Sequence, residues 1–178
     1  GHFSEYDYEH VNFIRDTLLN YTYTDVSQHY DKVNSPSVDD LVKRFNDGVG
    51  IINYCNHGTA TSWTVTGFSN DHIHGLTNDY MLPFIWSVAC DNGAFNNEEC
   101  FAEAWMRAMN PETGAPTGAI GGMFSTILQP WRPPMYGQDE MVAILTEWRD
   151  GYKHTLGGAS CNGNMFILDV ITDETAEE

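Results

Sequence analysis

Apolar residues recur at helical spacing in several stretches of the chain and form short continuous runs in others. The helical spacing predicts an amphipathic helix over residues 7–21. Ser37 has the residue type and the position of a helix N-cap, and residues 47–48 end the helix that it begins. Two further helices are predicted over residues 99–109 and 138–148. Helices and apolar runs therefore alternate along the chain.

The short apolar runs predict the strands of a sheet. Residues 49–54 and 82–89 predict two buried strands, and residues 117–124 predict a third, whose glycines indicate a closely packed neighbour. Residues 23–30 predict a further strand. Alternating helices and strands indicate an α/β fold, with a mostly parallel sheet covered on both faces. Three or four strands are few for such a domain, so we expect another chain or fragment to complete the sheet.

Polar, Pro-rich and Gly-rich stretches predict the connections. Residues 34–37 predict a turn, and residues 110–114 stop the helix that precedes them. Residues 59–81 predict a long polar and aromatic loop, and residues 125–137, with three prolines, predict a second loop. The acidic tail from Asp173 is expected to fray.

Length and charge narrow the class of protein. The 178 residues fit a single domain, or a large piece of one, spanning residues 1–178. No run of 18 or more apolar residues is present, so we predict no membrane span. With 8 basic against 25 acidic residues and a net charge of −17, the chain lacks the Lys and Arg clusters that bind nucleic acid. The charge favours a cationic substrate, or it serves solubility alone.

A histidine and a cysteine each follow one of the predicted buried strands. If the two strands are parallel neighbours, His57 and Cys90 emerge at the carboxyl edge, where α/β sheets bind ligands. A cysteine thiol needs a nearby base to become a strong nucleophile, and an imidazole suits that role. The N–H groups of Gly58 and Cys90 can form an oxyanion hole. This pattern predicts attack on a carbonyl and a thioester acyl-enzyme. The alternative is a buried Cys90 and a structural or solvated His57.

Other candidate ligands give weaker signals. His72 and His74 stand two residues apart without a metal motif, which favours a solvated loop over a zinc site. Cys55 is predicted to be a packed thiol rather than a redox or metal accessory. No Cys-x-x-Cys pair occurs, which excludes a zinc ribbon. Two disulfides are allowed by count, but Cys90 must stay free to act. The four cysteines are Cys55, Cys90, Cys100 and Cys161.

Two motifs resemble the His and Cys motifs of the gingipain family of cysteine peptidases. They are Tyr-Cys-Asn-His-Gly at residues 54–58 and Val-Ala-Cys-Asp-Asn-Gly at residues 88–93. The resemblance spans nearly the whole chain and is closer to the arginine-specific members than to the lysine-specific one. It implies a three-layer α/β/α caspase-like fold, of which this chain is a piece. Further matches follow in chain order at residues 100–104, 116–118, 125–127, 129–131, 134–135, 137–141, 155–158 and 162–163.

The resemblance implies a role for each matched residue at the strand ends. Cys90 corresponds to the nucleophile, His57 to the catalytic base and acid, and the amides of Gly58 and Cys90 to the oxyanion hole. Asn56 stands where the arginine-specific members usually have Gly. The acid that orients the histidine in the family is expected upstream of Gly1. The first subdomain and the last strand, with its Gly-Asp-Pro-Ser-type ending, are also expected outside this sequence.

The resemblance also implies a pocket for a basic P1 side chain. Asp7 is the position that best matches the acid of the family's pocket, where a carboxylate pairs with a guanidinium in bidentate fashion. Trp131 and Met135 match the residues that line the pocket. The alternatives are a helix N-cap for Asp7 and ordinary loop packing for Trp131 and Met135.

The function that the resemblance implies is an endopeptidase cleaving proteins and peptides after Arg or Lys, secreted or at the cell surface of a bacterium. No cofactor is needed for the chemistry, although structural calcium is allowed, with candidate ligands by composition at Asp91, Asn92, Glu98 and Glu99. Two alternatives stay open. One is a transpeptidase or sortase-like member of the same clan. The other is a non-catalytic surface or assembly component that retains the fold.

Overall fold

The structure is a computed structural model that describes residues 7–30, 36–96, 98–151 and 154–176. These residues fall into two compact units, residues 1–27 with 130–178 and residues 28–129. In chain order the described elements are α1 (Asp7–Tyr21), α2 (Val38–Asn46), β1 (Ile51–Cys55), β2 (Gly58–Thr59), β3 (Ser62–Trp63), β4 (Phe68–Ser69), α3 (Asn70–His74), β5 (Phe84–Val88), α4 (Phe101–Arg107), β6 (Gly121–Phe124), α5 (Arg132–Leu145) and α6 (Leu156–Ala176).

The main sheet belongs to the unit of residues 28–129 and has the strand order β1-β5-β6, all parallel. The central strand β5 is buried along its whole length, as its unbroken apolar run predicts. Gly122 allows β6 to approach β5 closely, because a Cβ there would lie 2.9 Å from the carbonyl oxygen of Ile85. The prediction of an α/β fold with a mostly parallel sheet is confirmed.

Local sequence signals define α2, which packs beside this sheet. The Ser37 side chain accepts the backbone N–H of Asp40, and the Asp40 carboxylate accepts the backbone N–H of Ser37, which completes a capping box. Leu41 and Phe45 form the buried stripe of the helix. Gly48 follows the C-cap with φ at +89°, a conformation that favours glycine. Both predicted ends of α2 are confirmed, and the predicted turn at residues 34–37 lies partly outside the described residues.

The segment predicted as a long loop over residues 59–81 is partly ordered into secondary structure, so that prediction is wrong. Strands β2, β3 and β4 form a small antiparallel sheet, and α3 follows directly. Each strand has only two residues, which is too short to show an alternating pattern. Burial of aromatic side chains holds the segment in place: Trp63 stacks on Tyr54 with ring centroids 4.4 Å apart, and Trp63 and Phe68 both join the main core.

Residues 23–30 do not form a strand, contrary to the prediction. Tyr23 and Val26 instead pack against the apolar side chains Ile14 and Leu18 of α1. The carbonyl oxygen of Val26 accepts a hydrogen bond of 3.0 Å from Nε of Arg15. This segment therefore packs on α1 through Tyr23 and Val26 rather than pairing with a sheet.

The unit of residues 1–27 with 130–178 is helical. α1 has the predicted bounds and contacts α5, which in turn packs along α6. α5 begins at Arg132, inside the stretch predicted as a loop. Pro133 and Pro134 occupy its first turn, which tolerates proline because the N–H groups there have no partner within the helix. α6 was not predicted, since three glycines interrupt its sequence; it extends to Ala176, into the tail that was expected to fray.

Smaller differences concern element length. α4 covers Phe101–Arg107 rather than residues 99–109, and β6 covers Gly121–Phe124 rather than residues 117–124. The side chains of β6 are half-buried, where a buried strand was predicted. Within the described ranges, no helix combines the length and the apolar character needed to cross a membrane.

Candidate active site

His57 lies just beyond the end of β1 and its backbone is held on both sides. Its N–H donates to the side-chain oxygen of Asn56 at 2.7 Å. Its carbonyl oxygen accepts the Tyr54 hydroxyl at 2.8 Å and the N–H of Thr64 at 3.1 Å. The side chain of His57 is exposed. A fixed backbone therefore presents an accessible imidazole at the end of the strand.

Cys90 lies just beyond the end of β5, in a loop that is anchored to residues 125–129. The Sγ of Cys90 is 3.8 Å from the carbonyl oxygen of Gln129, which accepts its weak S–H hydrogen bond. The next residue, Asp91, has φ at +57° and donates its N–H to the carbonyl oxygen of Ile127 at 3.2 Å. Gly93 donates to Ser125 at 2.8 Å. Cys90 is half-buried, so its thiol is held by the loop and can still be reached.

The strand register brings the two residues to one edge. Cys55 of β1 pairs with Val88 of β5, the last pair of the parallel ladder. His57 and Cys90 each follow two residues later, and the N–H of Asn56 extends the ladder by bonding to the carbonyl oxygen of Val88 at 3.1 Å. His57 and Cys90 thus leave neighbouring strands at the same carboxyl edge, as the sequence predicts.

Gly58 lies directly against the cysteine loop. A Cβ built on Gly58 would be 2.8 Å from the Cβ of Ala89 and 3.0 Å from the carbonyl oxygen of Cys90. In the hairpin formed by β2 and β3, the N–H of Thr64 bonds to the carbonyl oxygen of His57. The next pair, Gly58 and Trp63, is therefore a non-hydrogen-bonded pair of the antiparallel ladder. The Gly58 N–H therefore points away from β3, on the residue that packs against Cys90.

A buried chain of hydrogen bonds links the histidine hairpin to the cysteine loop. The Trp63 Nε1–H donates to the Ser87 hydroxyl at 3.0 Å, and Ser87 Oγ donates to Oδ1 of Asn92 at 2.9 Å. Nδ2 of Asn92 donates to the carbonyl oxygens of Thr59 at 2.6 Å and Ser62 at 3.2 Å. In the sequence, Asn92 stands out only as a residue of the cysteine motif and as a candidate calcium ligand by composition. The Asn-Gly pair after the cysteine indicates a turn, but nothing in the sequence shows that the amide is buried.

The other cysteines differ from Cys90 in their surroundings. All four are free; Cys55 and Cys100 are buried, and Cys161 is exposed. Burial raises the pKa of the Cys100 thiol, which disfavours its thiolate. Cys100 instead caps α4, with its N–H bonded to the Glu103 carboxylate at 3.0 Å. The prediction that Cys55 is a packed thiol is confirmed.

Among the candidate metal residues, His74 and Glu99 form a pair within the described ranges, and no third ligand joins them. His72 and His74 lie on α3 rather than in a solvated loop: Nδ1 of His72 accepts from Ser69, while Nε2 of His74 is 2.7 Å from the Glu99 carboxylate. Among the ranges that the structure describes, no three His, Cys, Asp or Glu side chains are grouped so as to hold a metal ion. Of the candidate calcium ligands, Asn92 is buried and its side-chain oxygen accepts the Ser87 hydroxyl at 2.9 Å.

The three candidate pocket residues belong to the other unit. Asp7 lies in the first turn of α1, Trp131 is the residue before α5, and Met135 is buried in α5 rather than packed in a loop. His10 of α1 bonds to Gln138 of α5 at 2.9 Å. His10 lies one helical turn after Asp7, and Gln138 lies one helical turn after Met135. Farther along both helices Ile14 and Leu18 pack on Val142. The helices therefore run in the same direction, with Asp7 and Met135 at the same end.

Comparisons with known proteins agree on one family. The sequence model of peptidase family C25 matches residues 4–177. Gingipain R2 of Porphyromonas gingivalis is 44% identical over 166 residues, a match that covers 92% of this chain and 22% of that protein. Gingipain R1 of the same organism is 43% identical, with 92% of this chain and 16% of that protein covered. The chain therefore spans less than a quarter of the length of these curated relatives.

Solved structures give the same result. The crystal structure of the Arg-specific cysteine proteinase gingipain R matches with a TM-score of 0.87 and 41% identity, over 93% of this chain and 38% of that chain. The complex of Porphyromonas gingivalis RgpB pro- and mature domains matches with a TM-score of 0.85 and 41% identity, over the same shares of the two chains.

Proposed function

This chain belongs to peptidase family C25, and we propose that it carries the nucleophile and the general base of a cysteine endopeptidase that cleaves after basic residues, Arg foremost. The observation that supports the proposal most is the β1–β5 register, with His57 and Cys90 each two residues beyond the last pair, Cys55 and Val88. Its relatives include an Arg-specific cysteine proteinase, which supports the preference for Arg.

The proposed reaction begins at Cys90. His57 accepts the proton of the thiol, and the Cys90 sulfur attacks the carbonyl carbon of the scissile peptide bond. The negative charge then develops on the carbonyl oxygen. Two N–H groups are proposed to stabilise this charge, that of Gly58, which points away from the hairpin, and that of Cys90.

The second half of the reaction frees the products. His57 returns its proton to the nitrogen of the leaving amine, and the C–N bond breaks to leave a thioester on Cys90. His57 then removes a proton from water, whose oxygen attacks the thioester carbon. The C–S bond breaks, and His57 returns the proton to the Cys90 sulfur, which restores the thiol. Each proton and electron pair is accounted for by the peptide, water, Cys90 and His57.

We propose that the basic P1 side chain is bound by Asp7, Trp131 and Met135. A carboxylate in the first turn of α1 can pair with a guanidinium through two parallel hydrogen bonds. The flat ring of Trp131 and the thioether of Met135 suit the apolar stem of an Arg or Lys side chain. A net charge of −17 further favours the approach of basic substrates.

The proposal is tested with a Cys90→Ala variant of the complete polypeptide that contains this chain. Hydrolysis of arginyl and lysyl peptide anilides is compared with that of wild type, together with labelling by an arginyl acyloxymethyl ketone. Loss of both hydrolysis and labelling is expected, whereas Cys161→Ser, at an exposed cysteine, serves as the matched control and keeps both. Hydrolysis that persists undiminished in Cys90→Ala would reject the assignment.

A further inference from the structure

We propose that Asn92 is a positioning residue of this site, whose side-chain amide fastens the Gly58 hairpin to the Cys90 loop and thereby aligns the Gly58 N–H with the Cys90 N–H. The inference rests on the proposed function, because the two amides matter only if an oxyanion forms between them. It is drawn from a hydrogen-bond chain that reaches both strand ends.

The amide of Asn92 is fully buried and each of its polar atoms is used. Nδ2 faces two backbone carbonyls, Thr59 at 2.6 Å and Ser62 at 3.2 Å, which can only accept. Oδ1 therefore faces the Ser87 hydroxyl, at 2.9 Å. That hydroxyl has one proton to give and accepts the Trp63 Nε1–H, a group that can only donate, at 3.0 Å. The direction of every bond in the chain is fixed, so only an amide in this orientation satisfies residue 92.

The same side chain occupies the space into which a side chain at residue 58 would project. A Cβ on Gly58 would lie 2.8 Å from Nδ2 of Asn92 and 3.0 Å from the carbonyl oxygen of Cys90. Asn92 and the Cys90 loop thus bear on the same face of Gly58. A shift of the Asn92 amide would move Gly58 relative to Cys90, and small misplacements of catalytic groups are costly.

The backbone of Asn92 adds a third anchor. Its carbonyl oxygen accepts the N–H of Ala102 at 2.9 Å, which ties the cysteine loop to the first turn of α4. The neighbouring N–H of Phe101 donates to Ala60 in the hairpin at 2.6 Å. The cysteine loop, the hairpin and α4 therefore meet at Asn92, which makes it the point where the relative position of Gly58 and Cys90 is set.

The test is Asn92→Asp in the complete polypeptide that contains this chain, in a Cys161→Ser background. The carboxylate has nearly the shape of the amide but turns an acceptor toward the two carbonyls. Asn78→Asp is the matched control: Asn78 is equally buried, with Nδ2 on the carbonyls of Met81 and Gly118 and Oδ1 on the Gly118 N–H. Its Nδ2 also donates to two backbone carbonyls, its Oδ1 accepts a backbone N–H in place of a hydroxyl, and none of these three bonds reaches the hairpin or the cysteine loop.

Two reactions of Cys90 separate positioning from general damage. Hydrolysis of an arginyl peptide anilide needs the oxyanion hole, whereas alkylation by iodoacetamide forms no oxyanion. For Asn92→Asp we expect kcat to fall roughly 100-fold with KM unchanged, while alkylation of Cys90 keeps its wild-type rate. Asn78→Asp, measured at a temperature where both variants are folded by circular dichroism, is expected to keep kcat. Equal kcat values for the two variants, or a parallel fall in alkylation, would overturn the inference.

Two further arms keep the result interpretable. If Asn92→Asp does not fold, Ser87→Ala replaces it. This variant keeps both hydrogen bonds that Asn92 Nδ2 donates but removes the hydroxyl that bonds to Oδ1. A roughly tenfold fall in kcat is expected, and a wild-type kcat would overturn the inference. Cys90→Ala is measured in parallel. Retained activity in that variant rejects the proposed function itself, whereas its loss alongside a fully active Asn92→Asp rejects only the role of Asn92.

Discussion

A methyl group placed on Gly58 would lie 3.0 Å from the carbonyl oxygen of Cys90, so the residue after His57 packs directly on the residue proposed as nucleophile. The same methyl would be 2.8 Å from the Cβ of Ala89, a separation that requires one of the two loops to move. The edge of the sheet thus fits together only with glycine at position 58.

We therefore expect Gly58→Ala to move the proposed oxyanion hole. The overpacked site is expected to cost about 1–3 kcal/mol in the free energy of unfolding and to lower kcat on an arginyl anilide roughly 100-fold. Gly50→Ala is the control, because a Cβ at that exposed position meets nothing within 4 Å. Steady-state kinetics and urea unfolding measure both effects, and a Gly58→Ala enzyme with the kinetics of Gly50→Ala would contradict the packing argument.

Asp7 is expected to decide the preference for basic substrates. Asp7→Asn removes the charge that pairs with the P1 guanidinium, so kcat/KM on arginyl substrates should fall roughly 100-fold. Asp16→Asn removes the same charge from the same helix, where its side chain is 68% exposed beside Arg15, and should leave the kinetics unchanged. If both variants cleave arginyl substrates equally well, Asp7 does not bind the P1 side chain and only stabilises the N-terminus of α1 through the helix dipole.

Tyr54 is expected to support the position of His57. Its hydroxyl donates to the His57 carbonyl oxygen at 2.8 Å, while its ring stacks on Trp63. Tyr54→Phe keeps the stack and removes the hydrogen bond, so we expect stability to fall by about 1 kcal/mol and kcat to fall several-fold. Tyr80→Phe, at a tyrosine that is 75% exposed, is the control. A variant that melts earlier but keeps its kcat would limit Tyr54 to a structural role.

The sequence patterns identify the strands and the two strand-end residues because both depend on local signals. β1 and β5 are short, mostly apolar runs, half-buried in β1 and buried in β5, and His57 and Cys90 each stand two residues beyond them. Once the two strands are paired in parallel, their carboxyl ends lie at the same edge of the sheet. That register brings Gly58 beside Cys90.

Other features depend on distant packing and leave no local signal. Pro133 and Pro134 indicate a loop by composition, yet the first turn of a helix accepts them. The two-residue strands β2, β3 and β4 are held by the burial of Trp63 and Phe68 rather than by any periodicity. Asn92 looks like an ordinary turn residue in the sequence, and only the fold buries its amide between two loops.

Glu140 and Arg149 form an ion pair between a buried carboxylate and an exposed guanidinium, which is expected to stabilise the α-helical unit. Nε of Arg149 lies 3.0 Å from Oε1 and 2.9 Å from Oε2 of Glu140, whose side chain is only 4% exposed. Arg149→Met leaves this carboxylate without its partner and is expected to cost about 3 kcal/mol in the free energy of unfolding. The double variant Glu140→Met/Arg149→Met is expected to recover most of the loss, because neither charge is then buried alone.

An exposed pair provides the control for that measurement. Nζ of Lys43, in α2, lies 2.5 Å from Oδ2 of Asp47, the C-cap of that helix, and the two side chains are 75% and 52% exposed. Lys43→Met is expected to cost less than about 1 kcal/mol, because solvent screens the pair. Urea unfolding of Arg149→Met, Lys43→Met and the double variant measures the three costs. Equal costs for Arg149→Met and Lys43→Met would show that burial adds nothing to the Glu140 pair.

The capping box of α2 makes part of the stability depend on pH. Hydrogen bonds from the backbone and then the side chain of Ser37 lower the pKa of Asp40 in the folded state. A lowered folded pKa means that the ionised carboxylate stabilises the fold above the unfolded pKa of about 3.9, and that this contribution disappears as pH falls through the folded value. The difference in melting temperature between wild type and Asp40→Asn should therefore be constant near neutral pH and vanish in acid.

Two control variants separate the charge from the hydrogen bonds. Asp39→Asn removes a charge from the same helical turn without breaking the capping box and should give a smaller difference in melting temperature. Ser37→Ala breaks the box and should cost about 1 kcal/mol in the free energy of unfolding. If Asp39→Asn and Asp40→Asn show the same pH dependence, the charge at the helix N-terminus explains the effect and the hydrogen bonds of the box do not.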